Sequence, residues 1–165
     1  MLKSLSPAAI DGALRLAADS RQGGQPQTCE SVCLDVLQVE PRNQEALRLL
    51  LLSHADRFDA DSSQHEMAAR DAQSRLTSEF DRAFYGGYIL HRLAQGAIAG
   101  GSPSAARVVY ELLTGAMASY EDAERVRPDG NEDAILLWNA CHRLLQATPH
   151  SGPRETQAFE TMIGE

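Results

Sequence analysis

The chain has 165 residues, a formal net charge of −8 and 5% aromatic residues, a length suited to one domain with a single buried core. An acidic balance argues against nucleic acid as a partner, because binding to phosphates rests on Lys and Arg. With 43% apolar residues the sequence is not that of a disordered chain, and abundant Ala and Leu with few aromatics favour helices over strands.

The amino end, "MLKSLSPAAIDGA", carries no apolar run long enough for a signal peptide, and the longest such run in the chain is the "LLLL" at 49–52, so no membrane span is expected. Three cysteines without a secretory signal suit a reducing, cytoplasmic location better than a disulfide framework.

Breakers and periodicity predict seven helices, near 7–20, 26–39, 43–58, 63–82, 86–100, 103–127 and 131–147, in one domain spanning 1–147. Ser6 before Pro7 and Ser102 before Pro103 have the form of an N-cap with proline in the first turn. "RQGGQPQ" at 21–27 is a short connection, and Pro41 and Pro128 stop the second and sixth helices because proline cannot donate to the helical ladder. Gly86 and Gly87 in "FYGGYI" interrupt helical propensity and place the turn between helices four and five at or just before 84–89. After a Pro- and Gly-containing linker, "RETQAFETMI" sets Phe159, Met162 and Ile163 on one helical face, so 148–165 reads as a linker followed by a short amphipathic helix.

One phrase occurs twice. "VEPRNQEALRLLLLSHADRF" at 39–58 and "VRPDGNEDAILLWNACHRLL" at 126–145 pair Pro41 with Pro128, Asn43 with Asn131 after one inserted residue, and Ala46 with Ala134. The pairing continues through Leu47 with Ile135, Leu50 with Trp138 and His54 with His142. Each copy is a proline stop, a turn and a new helix whose apolar residues fall on one face. Trp138, the single tryptophan, falls on the inward stripe with Ala134, Ile135, Cys141 and Leu145, where it would close the stack as a core anchor.

Here the sequence resembles the tetratricopeptide repeat, a helical pair of about 34 residues with a W-x2-L-G-x2-Y…A-x3-F…P skeleton. Ala13, Leu16, Ala17 and Ser20 lead through Gly24 to Cys29, Cys33 and Pro41 at matching spacing, and Leu90, Leu93, Ala94 and Ala97 lead through Gly101 to Ala106 and Tyr110. Between them, Leu47, Leu50, Leu51 and His54 open a unit whose second helix contains Ala68, Ala72 and Leu76. The loop at 59–63 and the length of the helix at 103–127 depart from the family pattern. The resemblance implies an all-α, right-handed α-α superhelix of about three helical pairs plus a capping helix, with an irregular helical bundle as the alternative. It also implies a groove along the first helices of successive pairs that binds an extended or helical peptide. In that register the groove residues are Leu14, Ala18 and Arg21, then Glu45, Arg48 and Leu52, then Tyr88, His91 and Gln95, and finally Leu136, Ala140 and Arg143. The lysine and asparagine clamp by which some members grip a C-terminal carboxylate is lacking, since Lys3 is the only lysine and Leu52 stands where an amide would be wanted.

Signatures of chemistry are weak. Cys29 and Cys33 form one close pair where zinc needs four clustered ligands, so core packing accounts for them better. His54 and His142 sit where the family has tyrosine, which suits a packed histidine with one hydrogen bond. "SSQHEMAARD" lacks the second histidine of H-E-x-x-H because Ala69 occupies its place. "GGQ" at 23–25 fits an inter-helix turn, and the carboxylates of "SYEDAERVRPDGNEDA" at 119–134 fit a solvated shoulder. Four of the nine aromatic residues, Phe80, Phe84, Tyr85 and Tyr88, cluster near the junction of helices four and five, either as packing or as a contact surface.

No cofactor motif is found, and the reading is a non-enzymatic adaptor or scaffold that binds a protein or peptide, with no nucleic-acid or membrane partner. Two alternatives stay open: a helical sensor or enzyme holding a metal or other ligand through His54, His91 or His142, and a structural homodimer subunit.

Overall fold

The computed structural model describes residues 3–59 and 62–148, and among them the architecture is all-α. Seven α-helices follow one another: α1 Ile10–Gln22, α2 Pro26–Val39, α3 Gln44–Ala55, α4 Ser63–Ser74, α5 Glu79–Ala99, α6 Ala106–Arg125 and α7 Asp133–Ala147. The helix expected at 154–163 lies outside the described residues.

Local chemistry sets the helix ends. Ser6 and Ser102 precede the prolines as expected, but each opens a short 3-10 turn, Pro7–Ala9 and Pro103–Ala105, before the α-helix begins. At the end of α1, Gly24 takes the left-handed conformation (φ 74°), and the Gln25 N–H reaches back to the Ser20 carbonyl at 2.9 Å, closing the helix by the six-to-one pattern that glycine permits. The "GGQ" tripeptide is thus a helix terminator. Asn43 caps α3, its Oδ1 accepting from the Ala46 N–H at 2.9 Å while its Nδ2 donates to Glu40 at 2.8 Å.

The break between α4 and α5 falls at 75–78, not at 84–89. Ser78 caps α5, its Oγ accepting from the Asp81 N–H at 3.2 Å, and Glu79 and Asp81 in the first turn complement the helix dipole. Gly86 and Gly87 lie inside the continuous α5 because neighbours come close there. A Cβ on Gly87 would stand 2.9 Å from Tyr120 Cε1 and 3.0 Å from the Ala116 carbonyl, and one on Gly86 would stand 2.6 Å from the Gln73 amide nitrogen. These glycines are contact points between helices, and the tightness at Gly87 lets α6 press against α5.

Each helix packs on the next, and α1 also touches α3 as α3 touches α5, the arrangement of a helical repeat. Two apolar clusters result. The first gathers Cys29, Cys33 and Val36 of α2, Leu47 and Leu51 of α3, Ala69 and Ala72 of α4, Leu76 and Ile89. The second gathers Phe80 and Ala94 of α5, Val109, Leu113, Ala116 and Tyr120 of α6, and Ala134 and Cys141 of α7. Helix α5 serves both, with Ile89, Tyr85, Tyr88 and Leu93 turned to the first and Phe80, Phe84, Leu90 and Ala94 to the second. All three cysteines are buried free thiols, and burial raises the pKa of each, pushing Cys141 up to about 12, so none is an activated nucleophile.

Trp138 is not the buried anchor expected of it. It is half-buried, its indole Nε1 donating to Glu121 at 3.0 Å in an exposed setting, and its ring stacks on the exposed His142 at 5.4 Å and 7°. Since α7 packs chiefly on α6, no helix described beyond it covers the indole; the buried positions of α7 are Ala134 and Cys141. No helix among the described residues is long and apolar enough to cross a membrane.

Candidate functional site

Helices α1, α3 and α5 share one face, and their side chains meet there in a row of two ion pairs on either side of two tyrosines. Arg21 of α1 grips Asp56 in a two-pronged pair, Nε to Oδ2 at 2.8 Å and Nη2 to Oδ1 at 3.1 Å. Arg48 of α3 donates to Asp81 of α5 at 3.0 Å. Between these pairs stand Tyr88 and Tyr85, edge to face with ring centres 6.4 Å apart. Partial burial opposes the charge of Arg21, but the hydrogen bond and charge of Asp56 prevail and raise its pKa. Burial likewise raises the pKa of the Tyr85 phenol, which leaves its O–H as a donor at neutral pH. Farther along α5, Arg92 donates to the Ala55 carbonyl at 3.3 Å and to Gln95 at 2.9 Å.

The partly exposed ion pairs are each worth about 0–1 kcal/mol, too little to explain them as stability elements alone. Their geometric effect is larger, because each guanidinium is anchored in one place with donors left over, beside two tyrosines that combine apolar area with a hydroxyl. Such a row offers fixed donors and aromatic area whose ordering cost is already met within the fold.

Of the residues expected in a groove, Arg21, Arg48, Leu52 and Tyr88 stand on α1, α3 and α5, helices packed side by side, with Leu52 half-buried against the first core cluster. Glu45 is exposed on the first turn of α3, and Gln95 is exposed near the other end of α5. Other expected residues lie elsewhere. His91 is buried between α5 and α6, its Nδ1 3.5 Å from the Tyr120 hydroxyl and its Nε2 3.4 Å from the Gln95 amide; the side chain points away from the shared face because α6 packs on α5 there. Leu14 belongs to the first core cluster. Leu136, 60% exposed, and Arg143 stand on α7, which meets α5 by way of α6 rather than lying beside it.

The sequence reading missed Asp56, Asp81 and Tyr85 as members of the row. The available signal was the spacing Asp81, Tyr85, Tyr88, Arg92 along one helical stripe. Placing a turn at 84–89 cut that stripe in two.

On another side, α2, α3 and α4 bound a cleft of about 370 Å³ lined by Glu30, Leu34, Leu50, His54, His65 and Asp71 among others. His54 Nδ1 is 3.2 Å from His65 Nδ1 and 3.0 Å from an Arg57 nitrogen, which itself lies 2.5 Å from Glu30. Burial leads in lowering the pKa of His54, with Arg57 and His65 acting in the same direction against the opposing carboxylate of Glu30. His142, its counterpart in the repeated phrase, is exposed beside Trp138, so the two histidines are not equivalent in the fold. Among the described residues no three His, Cys, Asp or Glu side chains gather to hold a metal ion. No protein-family model, curated protein or solved structure matches the chain.

Proposed function

We propose that the chain is a non-catalytic helical-repeat module of the tetratricopeptide kind that binds a protein or peptide across the face of α1, α3 and α5. The observation that carries this reading is the row Asp56, Arg21, Tyr88, Tyr85, Arg48 and Asp81, in which two carboxylates pre-position the two arginines on either side of two tyrosines packed edge to face. Stacked first helices, seen in the contacts of α1 with α3 and α3 with α5, supply the rigid platform such binding needs. The partner fitted to this row presents carboxylate or carbonyl acceptors for the arginines and apolar groups for the tyrosines and Leu52. A cytoplasmic setting suits the three buried free thiols.

Copurification from the native cell tests the reading. The double variant Arg48→Ala, Tyr88→Ala is compared with the intact chain and with Leu136→Glu on α7. Loss of a partner from the double variant, with retention by the α7 variant, is the expected result. A partner set unchanged by the double variant rejects this face as the binding site.

A further inference from the structure

Helix α4 buries only two of its own residues, Ala69 and Ala72, so little apolar area ties it to its neighbours. Its first turn is joined to the end of α3 through an unusual contact, the two Nδ1 atoms of His54 and His65 facing each other at 3.2 Å with ring centres 5.4 Å apart. His54 is 6% exposed. The protons on this contact can be assigned from its surroundings. Arg57 is a permanent donor and lies 3.0 Å from His54 Nδ1, so that nitrogen presents its lone pair and the ring proton sits on Nε2, which faces Glu30 Oε1 at 3.8 Å. His65 then approaches the same lone pair only as a donor through its own Nδ1–H.

A proton added to His54 Nδ1 removes the lone pair on which both donors converge: the permanent N–H donor of Arg57, 3.0 Å away, then faces an N–H of like charge, and His65 keeps the contact only if its own proton moves to Nε2. The other charged groups around it do not repair this. Glu30 of α2 favours an imidazolium but is already engaged by Arg57 at 2.5 Å. Asp71 of α4 and Arg75 beyond it line the cleft, with Arg75 3.5 Å from Asp71 and donating to the Pro41 carbonyl at 3.0 Å. Arg21 of α1 and Arg92 of α5 are bound to Asp56 and to the Ala55 carbonyl.

We propose that the His54–His65 contact is a proton-controlled latch that fastens the start of α4 to α3 while the His54 imidazole is neutral and releases α4 on acidification, uncovering the buried cleft wall at Leu50. The sign follows from linkage. His54 in the closed form resists protonation, so its pKa lies below the ordinary value of 6.5, and the open form binds the proton more readily. Closure is complete above that ordinary value and is lost as the pH falls from it towards the lower value of the closed form. Within that window the open population rises by up to about tenfold per pH unit.

Amide hydrogen exchange on the full chain at about pH 7.5 and about pH 5.5, corrected for intrinsic exchange rates, measures the opening directly. In the intact protein, protection across α4 falls between the two conditions by up to the linkage factor, while α6 changes less. In His54→Gln the amide oxygen accepts from Arg57 and His65 without titrating, and α4 protection becomes independent of pH. His91, buried between α5 and α6, is present in both proteins and cancels from the comparison. Equal acid loss of α4 protection in the intact chain and the variant overturns the latch, as does an intact α4 no more acid-sensitive than α6. Should the variant fail to fold, proton NMR of the intact chain decides. The latch requires His54 to titrate below 6.5 with the α4 amide shifts following at the same midpoint, and a His54 midpoint at or above that value overturns it.

Discussion

The two copies of the repeated phrase begin α3 and α7 with matching chemistry and end in different surroundings. Ala46 and Ala134 are both buried, yet Leu47 is fully buried where Ile135 is partly exposed, and Leu50 is buried where Trp138 reaches solvent. His54 is enclosed by Glu30, Arg57 and His65, whereas His142 is exposed and stacks on the indole. The cause is the number of neighbours. Helix α3 has α1, α2, α4 and α5 around it, while α7 rests chiefly on α6. A stop, turn and apolar stripe thus specify a helix and its inward edge, and position in the stack decides how much of that stripe becomes core.

The sharpest break of this comparison is at Leu47 and Ile135. Leu47→Ala removes a fully buried side chain from the middle of the first core cluster and is expected to cost roughly 2–5 kcal/mol. Ile135→Ala, at a position that stays partly wet, should cost about 1 kcal/mol. Urea unfolding of both variants checks the pair, and equal losses would mean that α7 is as enclosed as α3. Next in size is the joint between the two clusters. Gly87→Ala gains about 1 kcal/mol of helix propensity but drives a methyl to 2.9 Å from the Tyr120 ring, where overpacking costs roughly 1–3 kcal/mol. A net loss is expected, with the second cluster weakened first, readable as lower amide protection in α6 than in α3.

Trp138 is the third test. A fully enclosed tryptophan loses roughly 3–5 kcal/mol on truncation to alanine, but this one is half-buried with its Nε1 on an exposed carboxylate. Trp138→Ala should therefore cost about 1–2 kcal/mol, and acrylamide should quench the native fluorescence efficiently. Weak quenching together with a loss in the core range would show that something covers the indole in solution.

Helix number, order and most boundaries were legible because prolines, caps and the apolar period act over a few residues. What escaped depends on residues far away in sequence. Gly86 and Gly87 look like a turn until Tyr120 and Gln73 are seen against them, and the misplaced turn separated Asp81 and Tyr85 from Tyr88 on what is one helix. His91 reads as a groove residue by spacing, but the rotation of α5 between two cores turns it towards Tyr120. The partners of Arg21 and Arg48 lie 35 and 33 residues away, a separation at which periodicity carries no information about pairing.

The smallest expected difference tests the start of each copy. Asn43 is the N-cap of α3 and serves twice, accepting from Ala46 and donating to Glu40. In the second copy Asn131 keeps the same three-residue spacing to Ala134, but α7 begins at Asp133, one residue later in the register, so Asn131 stands before the cap and accepts from the Asp133 N–H at 3.0 Å while Glu132 holds the cap position without a side-chain bond. Asn43→Ala should then destabilise by about 1 kcal/mol, the usual loss of a cap, and Asn131→Ala by a few tenths of that scale. Parallel thermal melts resolve the two. An equal loss at Asn131 would place the effective start of α7 one residue earlier and make the two copies equivalent at their first turn, leaving burial alone to distinguish them.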